Sequence, residues 1–213
     1  MITADKLLIA IDKSWTRDED PRSYLGASSL GGPCSRALWY SFRWADQPEF
    51  PPRVLRLFER GNREEEVFEN LLMDAGVQYW PHDPATGEQF LVQFKNKHLG
   101  GHSDGQGKGL PDLDPDELFL GEFKTHNDKS FKDMVRYGVH KSKPVHYTQM
   151  QLYMNRLDIK WGLYGAVNKN DDTLYFELVE SDPKHAEHHL RRGDLIVGAY
   201  VPPDRMSNNP GWY

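Results

Sequence analysis

Gly101-His102-Ser103-Asp104-Gly105 and, further on, Leu118-Phe119-Leu120-Gly121-Glu122-Phe123-Lys124-Thr125 are the stretches on which the reading of this chain turns. In the second, the period-two alternation of a strand puts Glu122 and Lys124 on one face and Phe119, Gly121 and Phe123 on the other. Opposite charges inside an otherwise apolar strand are unusual. In a central strand both would be partly buried and would need a partner or a ligand. Asp104 is expected on the preceding strand, with Gly101 and Gly105 leaving the backbone around it unencumbered. Two carboxylates and a lysine converging in this way suit a hard divalent cation and a phosphate. Carboxylates ligate Mg²⁺, or Mn²⁺ in its place, and leave coordination places for water and substrate oxygens. A salt bridge between Glu122 and Lys124, with Asp104 in a turn, explains the local pattern equally well, so the rest of the chain has to decide.

On the N-terminal side, Pro51-Pro52 opens a helix expected over 53–75 and stopped by Gly76. On a helical wheel Val54, Leu57, Gly61, Phe68, Leu72 and Ala75 form its apolar sector. Glu64 and Glu65 fall within or at the edge of that sector, and Glu66 lies opposite. A carboxylate on the core side of such a helix is a candidate metal ligand, although three glutamates in a row also suit a solvated face. Arg53, Arg56, Arg60 and Arg63 recur at spacings of 3, 4 and 3. Arg56, Arg60 and Arg63 are candidate DNA contacts, and pairing with exposed glutamates explains the stripe as well.

Segments 89–94, 98–105 and 117–125 read as three neighbouring strands separated by Gly, Asp and Pro. Helices are expected over 128–138 and 144–157, strands over 161–167 and 173–179, and a last helix from Pro183 to near Gly198. The order implies an α/β domain, a mixed central sheet flanked by helices. A single domain spans 1–213: a helical and loop region over 1–50, a core over 51–182, and a terminal helix and tail. Within the first region, 37–44 reads as a short buried helix. Gln149 and Tyr153, four apart, share a helix face and can hydrogen-bond a phosphate or a metal-bound water. Lys129, Lys132 and Arg136 recur at helical spacing, which suits phosphate contact and a solvated face almost equally.

Composition bounds the rest. Hydrophobic residues make up 38% and charged residues 27% of 213, which permits a packed core and excludes global disorder. No apolar run nears the ~20 residues of a membrane span. The start lacks the features of a signal peptide, so a soluble, cytoplasmic protein is expected, with no membrane partner. The net charge of −6 weighs mildly against nucleic acid, but local distribution governs binding. Cys34, the single cysteine, allows no internal disulfide and no zinc or iron–sulfur site by itself; it reads as a buried small hydrophobe. His185, His188 and His189 read as a solvated cluster rather than a zinc site. Gly105-x-Gly107-x-Gly109 reads as a flexible connection between strands.

Gly61-x-x-x-Glu65, Gly101-His102-x-Asp104, Glu122-Phe123-Lys124-Thr125 and Gln149-x-x-x-Tyr153 together resemble the motifs of the PD-(D/E)XK nuclease superfamily. They look most like its RecB-like branch, which includes phage recombination exonucleases and CRISPR-associated adaptation nucleases. The resemblance covers roughly 27–180. It implies a restriction-endonuclease-like core of helix, three strands, helix and strand, and a phage-encoded, Mg²⁺-dependent DNA exonuclease of recombination or repair. A structure-specific endonuclease is the alternative within the fold, and a non-catalytic DNA-binding module the alternative outside catalysis. The implied roles follow the motifs. Asp104, Glu122 and the backbone carbonyl of Phe123 would hold the metal, with Glu65 binding directly or through water. Lys124 would orient the attacking water, Gln149 and Tyr153 would position the strand or the lysine, and His102 would touch metal or phosphate. DNA is the implied partner, a single-strand annealing recombination protein a further one, and a homo-oligomer stays open. Many nucleases of this branch hold an iron–sulfur cluster on one cysteine before the core and three near the C-terminus. Cys34 resembles the first, and without the other three no cluster forms on this chain unless its C-terminal end is incomplete.

Overall fold

The strand carrying Glu122 and Lys124 runs from Phe119 to His126 in the computed structural model, which describes residues 2–15, 22–45 and 49–209. Among these residues, helix α1 (Ile2–Ser14) is followed by β1 (Leu25–Gly26), the single turn α2 (Ala27–Leu30), and α3 (Ser35–Phe42). The long helix α4 (Pro52–Asp74) leads to β2 (Gln78–Trp80), β3 (Leu91–Gln93), β4 (Leu99–His102), β5 (Gly105–Lys108) and β6 (Phe119–His126). Then come α5 (Asp128–Ser142), α6 (Pro144–Leu157), β7 (Trp161–Asn168), β8 (Leu174–Glu180) and α7 (Pro183–Gly198). This is a mixed α/β fold, with helices flanking mixed sheets.

Local chemistry sets the boundaries. Proline occupies the first turn of α4, α6 and α7, where its missing N–H costs nothing. Gly76 adopts φ +84° just beyond α4, a conformation that stops a helix cheaply only for glycine. Gly138, at φ +72°, breaks α5 at the residue where the sequence placed its end, and a further turn follows to Ser142.

Two sheets form rather than one. The larger has the order β2-β5-β6-β7-β8, with β6 and β7 parallel and the other neighbours antiparallel. The smaller has the order β1-β4-β3. The expected strand over 98–105 is therefore divided: its first half pairs in the small sheet, its last residue begins β5 in the large one, and Ser103-Asp104 is the joint. The Gly105-x-Gly107-x-Gly109 stretch is not a flexible connection, because Gly105 and Gly107 sit in β5 opposite Gly121 and Phe119.

Phe119, Phe123, Leu163 and Val167 face α4, where Phe68 stacks on Phe123 with ring centroids 4.8 Å apart. Full burial of such a ring contributes about 1.5–3 kcal/mol. The other face of the sheet carries Leu120, Tyr164 and Ala166 into a core shared with α5, α6 and α7. Two readings of helix faces need correction. On α4 the buried residues are Leu55, Phe68 and Leu72; Leu57 is exposed and so is Ala75, because the side of the helix that packs changes between its first turn and its second half. In α3 only Leu38 is fully buried, with Trp39 and Phe42 partly buried against the same core, so the 37–44 segment is a half-buried helix rather than a buried one. Among the described residues no helix is long and apolar enough to cross a membrane.

Candidate active site

β6 places Glu122, Lys124 and His126 on the face opposite Phe123, as alternation requires. Parallel pairing sets Glu122 beside Tyr164 and Lys124 beside Ala166. Glu122 is fully buried, yet both of its carboxylate oxygens have neighbours of the right chemistry. Oε1 lies 2.6 Å from Lys124 Nζ, and Oε2 accepts a 3.0 Å hydrogen bond from the Gln149 side-chain amide on α6. Asp104 arrives from the joint between the sheets. Its Oδ2 accepts from the Phe123 backbone N–H at 2.8 Å and from Lys124 Nζ at 3.3 Å. Lys124 also donates to the Phe123 carbonyl at 2.9 Å.

Glu65, on α4, completes the group and is half-buried. Burial, followed by the charge of Asp104, pushes its carboxyl up to about 7. Burial likewise drives Glu122 up, to about 8, with Lys124 pulling it back. Burial opposes the charge on Lys124, but Asp104 and Glu122 outweigh it and hold the ammonium well above the usual lysine range. The contact of 2.6 Å favours an ionised Glu122–Lys124 pair. The rise on the two glutamates comes first from burial, with the neighbouring carboxylates adding to it.

The donor set fits a hard cation. The ammonium of Lys124 is approached by Asp104 Oδ2, Glu122 Oε1 and the Phe123 carbonyl, three oxygens already directed at one positive charge. Mg²⁺ and Mn²⁺ prefer all-oxygen sets of this kind. Among the described residues no three His, Cys, Asp or Glu side chains form a closed cage, and a backbone carbonyl supplies the third oxygen here.

A cleft opens on either side of Glu65, and its two lobes share Arg22 and Asn62. One lobe, of about 820 Å³, is lined by Trp15, Phe58, Lys124, His126, Lys143 and His146. The other, of about 800 Å³, is lined by Tyr24, Glu69, His82, His102, Asp104 and Tyr153. Each is large enough for a nucleotide-sized ligand. In the first lobe, the Tyr164 hydroxyl lies 2.9 Å from His126 Nε2 and 2.7 Å from His146 Nδ1. Burial, reinforced by nearby lysines, lowers His126 to about 4 and His146 to about 3, so both rings are neutral near pH 7.

The structure thus brings together Glu65, Asp104, Glu122, Phe123, Lys124 and Gln149. Tyr153 is buried, its hydroxyl against Gly101, and it lines the second lobe with the exposed His102. The basic candidates stand apart and line neither lobe. Arg56 pairs with Asp12 at 2.6 Å, Arg60 lies 3.7 Å from Glu64, and Lys132 bonds Asp128 at 2.7 Å. Arg63, Lys129 and Arg136 are exposed. Sequence reasoning missed Arg22, Tyr24, Tyr79, Tyr164, His126 and His146. Of these only His126 carried a local signal, its even spacing from Glu122 and Lys124 on the same strand.

Two further expectations are corrected. Cys34 is half-exposed and caps α3, its Sγ accepting from the Ala37 N–H at 3.4 Å. His188 is exposed, but His185 and His189 are half-buried with protein partners: His185 bonds the Thr148 hydroxyl at 2.9 Å, and His189 Nδ1 lies 3.2 Å from the Leu30 carbonyl.

No family model matches the sequence, and no curated protein matches it. Solved structures do resemble the fold. The alkaline exonuclease LHK-Exo from Laribacter hongkongensis superposes with a TM-score of 0.58 at 15% identity, over 83% of this chain and 87% of that one. LHK-Exo in complex with dAMP gives 0.57 at 16% identity, over 82% and 86%. SSO0001 gives 0.50 at 12% identity, over 95% and 89%. The chain therefore has an exonuclease-like fold.

Proposed function

We propose that this chain is a divalent-metal-dependent DNA nuclease of the PD-(D/E)XK type, acting as an exonuclease. One observation carries the reading: two carboxylates, Asp104 and Glu122, meet on a single ammonium, and Glu65 stands beside them at the seam of a two-lobed cleft. With all three ionised, the group carries a net charge of −2, which a divalent cation neutralises. The likeness of the fold to LHK-Exo, an alkaline exonuclease seen with dAMP, supports the choice of substrate.

Asp104, Glu122 and the Phe123 carbonyl would hold Mg²⁺, with Glu65 binding directly or through water. The bound ion supplies Lewis acidity, easing deprotonation of water and neutralising charge that builds on the phosphate. Lys124, beside those oxygens, would orient the attacking water and offset charge on the scissile phosphate, its ammonium acting more strongly there than in bulk solvent. Gln149 keeps the Glu122 carboxylate in place through its 3.0 Å bond. His126 and His146, neutral and joined through Tyr164, give the first lobe a polar wall without added charge.

The test uses end-labelled linear DNA and a closed circle of the same sequence, each with Mg²⁺, with EDTA, and with Lys124→Ala protein. Metal-dependent loss of the linear substrate alone, abolished by the substitution, is the expected result, and the fate of the label gives polarity. Cutting of the circle replaces the exonuclease with an endonuclease. Binding without cleavage of either substrate leaves a DNA-binding module.

A further inference from the structure

Tyr79 stands at the centre of β2, paired opposite Gly107. Its ring is fixed by Phe119 and Phe123, at centroid distances of 6.2 and 5.5 Å. The residue is 5% exposed, and its hydroxyl has no hydrogen-bond partner among the described residues. A desolvated donor left in this way is a cost that phenylalanine would avoid with the same packing. The surroundings indicate what the hydroxyl is for. It presses against Gly105 and Gly121, and a Cβ on either glycine would collide with it. Gly105 follows Asp104 and Gly121 precedes Glu122. Two missing side chains thus make a slot for one hydroxyl between the segments that present the two central carboxylates. Burial, then the charges of Asp104, Glu69, Glu122 and Glu65, push the phenol well above its usual range, so it keeps its proton and is able to donate.

We propose that Tyr79 is a positioning residue whose hydroxyl donates to the Asp104 carboxylate when a divalent cation is bound. The proposal rests on the metal-dependent nuclease reading. Without the cation, Asp104 Oδ2 is held by the Phe123 N–H and by Lys124. A cation competes with the ammonium for the same oxygens. A neutral donor then fixes the carboxylate without weakening its charge, which is how outer partners of metal ligands work.

Tyr79→Phe deletes the hydroxyl and keeps the ring. Parent and variant full-length proteins are titrated with Mn²⁺ alone by calorimetry, and their melting is recorded in EDTA. The expected result is about tenfold weaker Mn²⁺ binding with an EDTA melting temperature equal to or above that of the parent. Equal Mn²⁺ affinities overturn the positioning role and leave the nuclease reading intact. A lowered EDTA melting temperature also overturns it, by making the hydroxyl structural. Asp104→Asn is the control for location: Mn²⁺ binding that survives it, or a parent that binds none, overturns the metal site and the role of Tyr79 together.

Discussion

The Gln149 amide and the Glu122 carboxylate, 27 residues apart in sequence, meet at 3.0 Å in a place closed to solvent. The bond leaves Glu122 Oε1 directed at Lys124. Gln149→Ala frees a buried carboxylate oxygen, at a cost of about 1–3 kcal/mol in stability. Nuclease activity should fall about 10- to 100-fold, since the ligand loses its outer support. Urea unfolding and initial rates on linear DNA check the two together. Unchanged rates would remove Gln149 from the site.

Lys124→Met removes the cation that Asp104 and Glu122 share. Breaking a buried pair from one side costs about 3–5 kcal/mol, and the partial exposure of Lys124 places this site at the lower end. Melting in EDTA should therefore drop, and Mg²⁺ should restore much of the loss by taking the ammonium's place. Cleavage should stay lost in Mg²⁺. A variant that melts like the parent in EDTA would mean that Lys124 is not balancing those carboxylates.

Metal alone should stabilise the parent. A cation at 100 times its Kd adds about 2.7 kcal/mol to a protein that binds it only when folded. Differential scanning fluorimetry with Mg²⁺, Mn²⁺ and EDTA reads the shift, which Asp104→Asn should abolish. The same rise in that variant would place the bound metal elsewhere.

His146 is held neutral by burial and by the charges of Lys124 and Lys143, with its folded value lowered to about 3. In the unfolded chain it takes a proton below about 6.5. Between about pH 6.5 and 3 the unfolded state therefore binds more protons, so this histidine makes stability fall as pH falls through that window. His146→Gln keeps a hydrogen-bonding side chain for Tyr164 and does not titrate. On moving from pH 7 to pH 5 it should lose about 2 kcal/mol less stability than the parent. Parallel losses would show that the ring is already charged when folded.

Gly101→Ala tests the packing behind Asp104. The added methyl would meet the Tyr153 hydroxyl, with ring carbons Cζ and Cε1 at 3.1 and 3.3 Å. Tyr153 is 2% exposed and has nowhere to retreat, so overpacking should cost about 1–3 kcal/mol. Urea unfolding should show the loss, and Tyr153→Phe in the same chain should recover part of it.

The sequence made some of this architecture plain and hid the rest for physical reasons. The strand of Glu122 and Lys124 was readable because its alternation is uninterrupted and its charges fall on one parity. The helices beginning at Pro144 and Pro183 matched to the residue, since proline marks a first turn without ambiguity. The change of sheet at Ser103-Asp104 was hidden, because Gly100-Gly101-His102-Ser103-Asp104-Gly105 has too few side chains to show a change of face. The basic stripe on α4 left two readings open. Regular spacing says that arginines share a side of a helix, but not that Asp12 and Glu64 already face them. Tyr79, Tyr164 and His146 were out of reach because each matters through contacts with residues distant in the chain.

Asp104 hangs from a two-residue span, with the small sheet on one side and the large sheet on the other. Neither sheet alone holds it opposite Glu122, so the grouping of Asp104, Glu122 and Lys124 comes into being only when the two layers have docked. If the nuclease reading holds, a partly folded chain with either layer complete would be inert toward DNA, and the onset of cleavage during refolding would time the last assembly step.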